Sequence, residues 1–374
     1  MLLEKRENSM LDKRNINIDL IRVLAIFCVI SVHFFYNNGF YETPVVGMKM
    51  YLMVGMRTLF MICVPLFMMI SGYLMSVKVL LPLQKSYYLH LMKVIGPYVI
   101  ITLFILIFRI FFLNHHLTLS DVFLNIFGYK QYAWYVNMYI GLYLLLPFLN
   151  TMWQHLPTHK EQTIFVVTLL VLTMLPSLFN IYDFETPGWF LMPGRSHAYD
   201  TLVPNWWSDL YPLTYYFIGA YIHKYKATFL KIKPRHYLIM LMSSLLLFTI
   251  YNCYRSHDVP FVIGEWCEWG GFENIIDAGL IFLFLIGLNV KRLGMRSRYV
   301  LQHIANLVFG TYMASWIMDQ IVYPILKHNI PMMDDRLYYF IPCIVLVFIG
   351  SYLLASLANQ IYQHTIAPYI KTSS

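Results

Sequence analysis

Asp19-Leu-Ile-Arg22-Val-Leu-Ala-Ile-Phe-Cys-Val-Ile-Ser-Val-His33-Phe-Phe is the stretch whose reading decides the fold. It is long and apolar enough to cross a bilayer as a helix, yet it carries an arginine and a histidine. An ionisable group inside a membrane span costs several kcal/mol, so it is kept where it faces a polar cavity or a partner. Arg22 and His33 are eleven residues apart. At about 100° and about 1.5 Å per residue they return to nearly one helix face, roughly 16 Å apart along the axis. Asp19 falls within roughly 40° of the same face. One face therefore offers an anion clamp near its entry and, deeper in, a group that takes a proton. The plainer reading is that Arg22 snorkels to the headgroups and His33 satisfies a carbonyl in the bundle.

Working outward, 59% hydrophobic and 12% charged residues in a chain of 374, with a mean hydropathy of +0.58, describe a polytopic membrane protein. The formal charge of +8 does not point to nucleic acid, because the basic residues lie in short clusters between apolar runs, the pattern that orients membrane helices. The expectation is an all-α bundle of about ten transmembrane helices in a single domain, with both termini cytoplasmic, in the cell membrane. The spans are expected at about 18–36, 51–75, 88–113, 132–149, 163–178, 210–222, 237–251, 275–288, 304–325 and 338–357, with tails at 1–18 and 358–374. Lysines and arginines then collect on the inner side, from Lys5, Arg6, Lys13 and Arg14 to Arg296 and Arg298, and are sparse on the outer.

The first apolar run contains Arg22 and lacks a small-x-small exit, so it is expected to stay as a helix and not to be cleaved. The five cysteines form no C-x-x-C pair and no zinc spacing; packing thiols are the default, with Cys253 and Cys267 the one pair placed to bridge across an outer loop. Trp153, Trp189, Trp206, Trp207, Trp266 and Trp269 near span ends fit either an aromatic belt or a surface on which sugars stack.

Asp19-x-x-Arg22-x-x-Ala25 followed by His33 resembles the opening signature of the acyltransferase-3 family of integral membrane O-acyltransferases. The resemblance continues in Pro65-Leu-Phe67 and Ser71-Gly72-Tyr73, in Trp134-Tyr135 with Leu142-Tyr143-Leu144 and Pro147, and in Phe217-Ile-Gly219. The family's Arg-x-x-Arg at the third helix is His90-Leu-Met-Lys93 here, and Ser315 stands where the family often has a second histidine. Physically, Pro65 frees a backbone carbonyl, and Ser71, Gly72 and Gly219 let helices approach closely.

The resemblance implies transfer of an acyl group, most simply acetyl, from cytoplasmic acyl-coenzyme A to a hydroxyl of a cell-surface or lipid-linked glycan, with acyl-CoA as donor substrate and no metal or permanently bound cofactor. It implies His33 as general base. Arg22, Lys93 and His90 become the phosphate ligands, and Asp19, Ser71, Tyr73 and Trp134 support the site. Asp19 either orients Arg22 or caps the helix start. Arg57, Arg109, Glu273, Asp277 and Asp319 are further ionisable residues in or near spans and rank below His33. The chain is expected to be the stand-alone membrane form. The competing classes are a transporter or flippase, with Arg22 and His33 as a substrate and proton relay, and a catalytically inactive assembly partner.

Overall fold

The computed structural model describes residues 14–78, 85–127, 132–186, 188–191, 194, 199–290 and 293–368, the side chains of 85, 86 and 90 excepted. Among them there is no strand, only two isolated bridges, Pro44 with Pro260 and Val45 with His257. The helices are α1 (Ile16–Asn37), α2 (Gly47–Phe60), α3 (Cys63–Met75), α4 (Lys85–Phe111), α5 (Leu119–Ile126), α6 (Trp134–Gln154), α7 (His159–Phe179), α8 (Tyr211–Lys224), α9 (Lys226–Phe229), α10 (Pro234–Arg255), α11 (Phe272–Gly287), α12 (Met295–Asn329) and α13 (Phe340–Thr365).

Every expected span but the second falls on a single one of these helices, and the second is divided between α2 and α3. Seven stretches, Ile16–Asn37, Gly47–Met75, Tyr87–Phe111, His159–Phe179, Pro234–Arg255, Glu265–Gly287 and Asp334–Thr365, are long and apolar enough to cross a membrane. The helices at the fourth, sixth and ninth expected positions, α6, α8 and α12, are outside that set, so the expected count of ten rests on charge and hydropathy pattern alone.

Local chemistry fixes several boundaries. Asn15 caps α1, accepting from the Asn17 N–H at 3.2 Å. Thr158 and Glu161 form a capping box at the start of α7. Proline opens α8 and α10 at the positions where its missing N–H costs nothing. The second expected span is broken at Met61–Ile62, four residues before Pro65, where the ring removes a donor from the carbonyl of Met61.

Contacts between helix ends show that successive spans alternate in direction. Asn17 Nδ2 donates to the carbonyls of Leu285 (2.7 Å) and Leu288 (2.9 Å), joining the start of α1 to the end of α11. Asn150 Nδ2 donates to the carbonyls of Met75 (2.7 Å) and Lys78 (3.1 Å), joining the ends of α3 and α6. At the opposite end Arg336 Nη1 donates to the carbonyl of Asn38 at 2.5 Å, and Val45 N–H to that of Val259 at 2.9 Å. The first end carries Arg14, Lys78, Lys160 and the 224–235 basic cluster, as the charge pattern predicts.

The tightest crossing is between α3 and α8. A Cβ on Gly72 would sit 1.7 Å from the carbonyl oxygen of Tyr216, and one on Gly219 would sit 2.0 Å from that of Met69. Each backbone presses on the other through the space a side chain would fill, which is the use of small residues expected at membrane helix interfaces.

Candidate functional site

A cavity of about 1070 Å³ runs through the bundle. At the end where α1 begins it is lined by Arg22, Lys93 and Gln363; at its waist by His33, Tyr132, Tyr135 and Tyr312; at the opposite end by Glu42, Trp134, Glu268 and Trp269. The eleven-residue spacing of Arg22 and His33 on one helix face is thus realised: both open onto the same cavity, at different depths.

Asp19 is fully buried beside the cavity wall, and its Oδ1 accepts from Arg22 Nη1 and from Arg14 Nη2, each at 2.9 Å. Since Asn15 supplies the helix cap, the alternative reading of Asp19 as a cap is corrected: its carboxylate holds two guanidinium groups. Arg22 is left with donors for the cavity, which suits an anion.

His33 sits between two segments distant in sequence, the turn before α6 and helix α12. Its ring stacks on Tyr132, centroids 3.8 Å apart and planes 30° apart, and its Nδ1 is 3.5 Å from Oδ2 of Asp319 on α12, an ion-pair distance. The same Oδ2 accepts the Tyr132 hydroxyl at 2.6 Å. Asn37, one turn after His33, donates to the His33 carbonyl at 2.8 Å and to the Tyr132 hydroxyl at 3.0 Å, and the Tyr312 hydroxyl donates to the Tyr132 carbonyl. Nδ1 is the ring nitrogen turned to the carboxylate, at a separation that is an ion-pair contact and not a hydrogen bond, and Nε2 is the other ring nitrogen, which can accept a proton.

The remaining expected residues separate. Lys93 and Trp134 line the cavity, Trp134 stacked on Trp269 at 4.4 Å. Ser71 also lines it, but its hydroxyl donates to the Phe67 carbonyl at 2.9 Å, within its own helix. Tyr73 faces away: it is buried against His223, ring centroids 4.6 Å apart, and does not line the cavity. The His90 side chain lies outside the described residues. Ser315 is buried, with its hydroxyl on the Tyr312 carbonyl at 2.7 Å, and reaches no part of the cavity. All five cysteines are free, so Cys253 and Cys267 are not bridged. Of the tryptophans, Trp153, Trp189 and Trp266 are buried in the protein and leave the belt; Trp206 is exposed and Trp207 partly so.

Sequence reasoning ranked Asp319 low and did not single out Tyr132 or Glu268 for the site. The available signal was a buried acid four residues after Ser315, one helical turn from the position where relatives place a second histidine. At the Glu268 end, Arg57 is buried, with Nη1 donating to the Cys267 carbonyl and Nε to the Tyr41 hydroxyl, each at 3.3 Å. Asn274 Nδ2 donates to the carbonyls of Cys267 (3.1 Å) and Glu268 (2.9 Å). These groups pin the turn that carries Glu268 and Trp269. Among the described residues no cluster of three or more His, Cys, Asp or Glu is placed to hold a metal ion.

No curated protein and no solved structure matches the chain. The model of the acyltransferase-3 family, an acyltransferase domain, matches residues 15–356. That match takes in α1 with Arg22 and His33, Asp319 on α12 and most of α13, and the chain is a membrane protein belonging to the acyltransferase-3 family of acyltransferases.

Proposed function

We propose that the protein is an O-acyltransferase that takes an acyl group, most simply acetyl, from acyl-coenzyme A and places it on a hydroxyl of a cell-surface or lipid-linked glycan. The observation that carries this reading is one continuous cavity with a cationic end, a histidine paired with a carboxylate at its waist, and an aromatic and acidic opposite end. By the positive-inside rule the Arg22 end faces the cytoplasm of the cell, where acyl-CoA is found. Arg22 and Lys93 would hold the donor's phosphates, Lys93 as a point charge and Arg22 as a planar fork.

The acceptor hydroxyl then comes from the Trp134 and Trp269 end. His33 Nε2 takes its proton as the oxygen bonds to the thioester carbonyl carbon. The carbon–sulfur bond breaks, and the leaving thiolate recovers the proton from the imidazolium. Asp319 stabilises the imidazolium between these two transfers, and general-base catalysis of this kind contributes about 10²- to 10⁴-fold. Transfer occurs at the waist, so neither substrate has to cross the bundle whole.

The test uses purified protein in lipid nanodiscs with acetyl-CoA, following thiol release and ester formation on added envelope glycan. A deletion strain restored with each variant identifies which glycan loses its ester. Expected is loss of turnover by about 10²-fold or more in His33→Ala with donor Kd unchanged, and weakened donor binding in Arg22→Ala and Lys93→Ala. Full acyl transfer by His33→Ala overturns the assignment. Proton-coupled uptake of solute without thiol release establishes the transporter reading instead.

A further inference from the structure

Three helices meet in one layer beside the waist. A Cβ on Gly310 of α12 would lie 3.0 Å from Ala355 Cβ on α13 and 3.4 Å from Ile101 Cδ1 on α4. Helix α12 runs parallel to α4 and antiparallel to α13. Asn306 lies four residues before Gly310, Asn359 four after Ala355, and Pro97 four before Ile101. All three therefore sit one turn, about 6 Å, nearer the Arg22 end. The Tyr362 ring confirms the level: its Cε2 would come within 2.4 Å of a Cβ on Gly96. Lys93 lies one further turn out. Asn306, Asn359, Pro97 and Lys93 all line the cavity.

Two carboxamides thus face one cavity between the cationic end and His33. Among the described residues neither has a hydrogen-bond partner in the protein. A carboxamide presents two N–H donors and a carbonyl acceptor, which complements another amide; to a phosphate its oxygen is repulsive. A donor with its phosphates at Arg22 and Lys93 and its thioester at His33 must lay the linking arm across roughly 16 Å, through the level of the two asparagines.

We infer that Asn306 and Asn359 form a carboxamide pair that binds the amide-bearing arm of a pantetheine thioester, which makes the arm itself, and not only the phosphates, a determinant of donor choice. This rests on the acyltransferase reading above.

The test compares three donors by thiol release: acetyl-CoA, S-acetylpantetheine, which has the arm without the phosphates of the nucleotide, and ethyl thioacetate, which has neither. The Asn306→Leu/Asn359→Leu double variant raises KM about tenfold for the first two, as expected for lost neutral hydrogen bonds. It leaves kcat/KM for ethyl thioacetate unchanged, while Asn306→Gln, which keeps the amide, stays near wild type. Lys93→Ala raises KM for acetyl-CoA alone. An equal loss on all three donors means a merely structural pair and overturns the inference; so does a loss on acetyl-CoA without one on S-acetylpantetheine, which would put the nucleotide at the pair, and so does an unchanged KM for both. If the wild type neither binds nor cleaves acetyl-CoA, the donor reading itself fails, a result distinct from each of these.

Discussion

Asp319 stands beside His33, its Oδ2 3.5 Å from Nδ1 and 2.6 Å from the hydroxyl of Tyr132, whose ring stacks on His33. In the proposed reaction a buried carboxylate so placed stabilises the imidazolium that forms on His33. Asp319→Asn is expected to lower kcat by about ten- to a hundredfold, the range known for carboxylates behind metal-bound histidines. KM for the donor stays unchanged and the loss is smaller than that of His33→Ala. Steady-state kinetics with acetyl-CoA check the split; a kcat equal to wild type would show that His33 needs no partner.

The crossing of α3 and α8 predicts where the bundle is least tolerant of added volume. Gly72→Ala and Gly219→Ala each drive a methyl into the partner's backbone, which cannot move aside as a side chain can. Overpacking of cores costs about 1–3 kcal/mol where side chains give way, and these two are expected to exceed that. Gly279→Ala on α11 meets nothing within 4 Å and serves as the neutral comparison. Thermal denaturation in detergent, read by size-exclusion chromatography, would contradict the account if all three behaved alike.

Arg57 holds the Cys267 carbonyl at 3.3 Å, so the turn that presents Glu268 and Trp269 depends on a residue from a different helix. In a protein keeping Cys267 as its single cysteine, Arg57→Ala should raise the rate of maleimide labelling at least tenfold over the same protein with Arg57, because Cys267 is fully buried in the intact turn. Labelling that stays slow would mean that Asn274 alone suffices to hold it.

Trp134, stacked on Trp269 at 4.4 Å, is expected to act on the acceptor alone. Trp134→Ala should cut glycan acylation about two- to tenfold, the size of an aromatic contact, and leave acetyl-CoA binding by calorimetry unaltered. A matching loss of donor affinity would move Trp134 from the acceptor's end to the donor's.

Helices, alternation and two of the groups that line the candidate site are legible because each leaves a local mark. Arg22 and His33 stand out against an apolar run, and Gly72 and Gly219 sit in motifs that read as close helix approach. Asp319 was visible only as one buried acid among several, since nothing in sequence says that α12 passes behind α1 at the height of His33. Tyr73 shared a motif with Ser71 and Gly72, yet two residues along a helix turn a side chain by about 200°, away from the cavity and onto His223. Trp266 looked like an interfacial anchor, but its indole donates to Asn252 at 2.8 Å and its face takes the Arg255 guanidinium at 4.0 Å. Such pairings are long-range facts that hydropathy does not carry.

A passage lined by protein from one end of a membrane bundle to the other is also a breach in the insulation that a cell's ion gradients depend on. The stack of Tyr132 on His33, with the Tyr312 ring centroid 6.4 Å from each of them, lines that passage at mid-depth. Under the proposed reaction the aromatic rings beside His33 would therefore bound both the reacting groups and any path for ions, and enlarging the cavity at that depth to speed the reaction would trade turnover against the membrane potential.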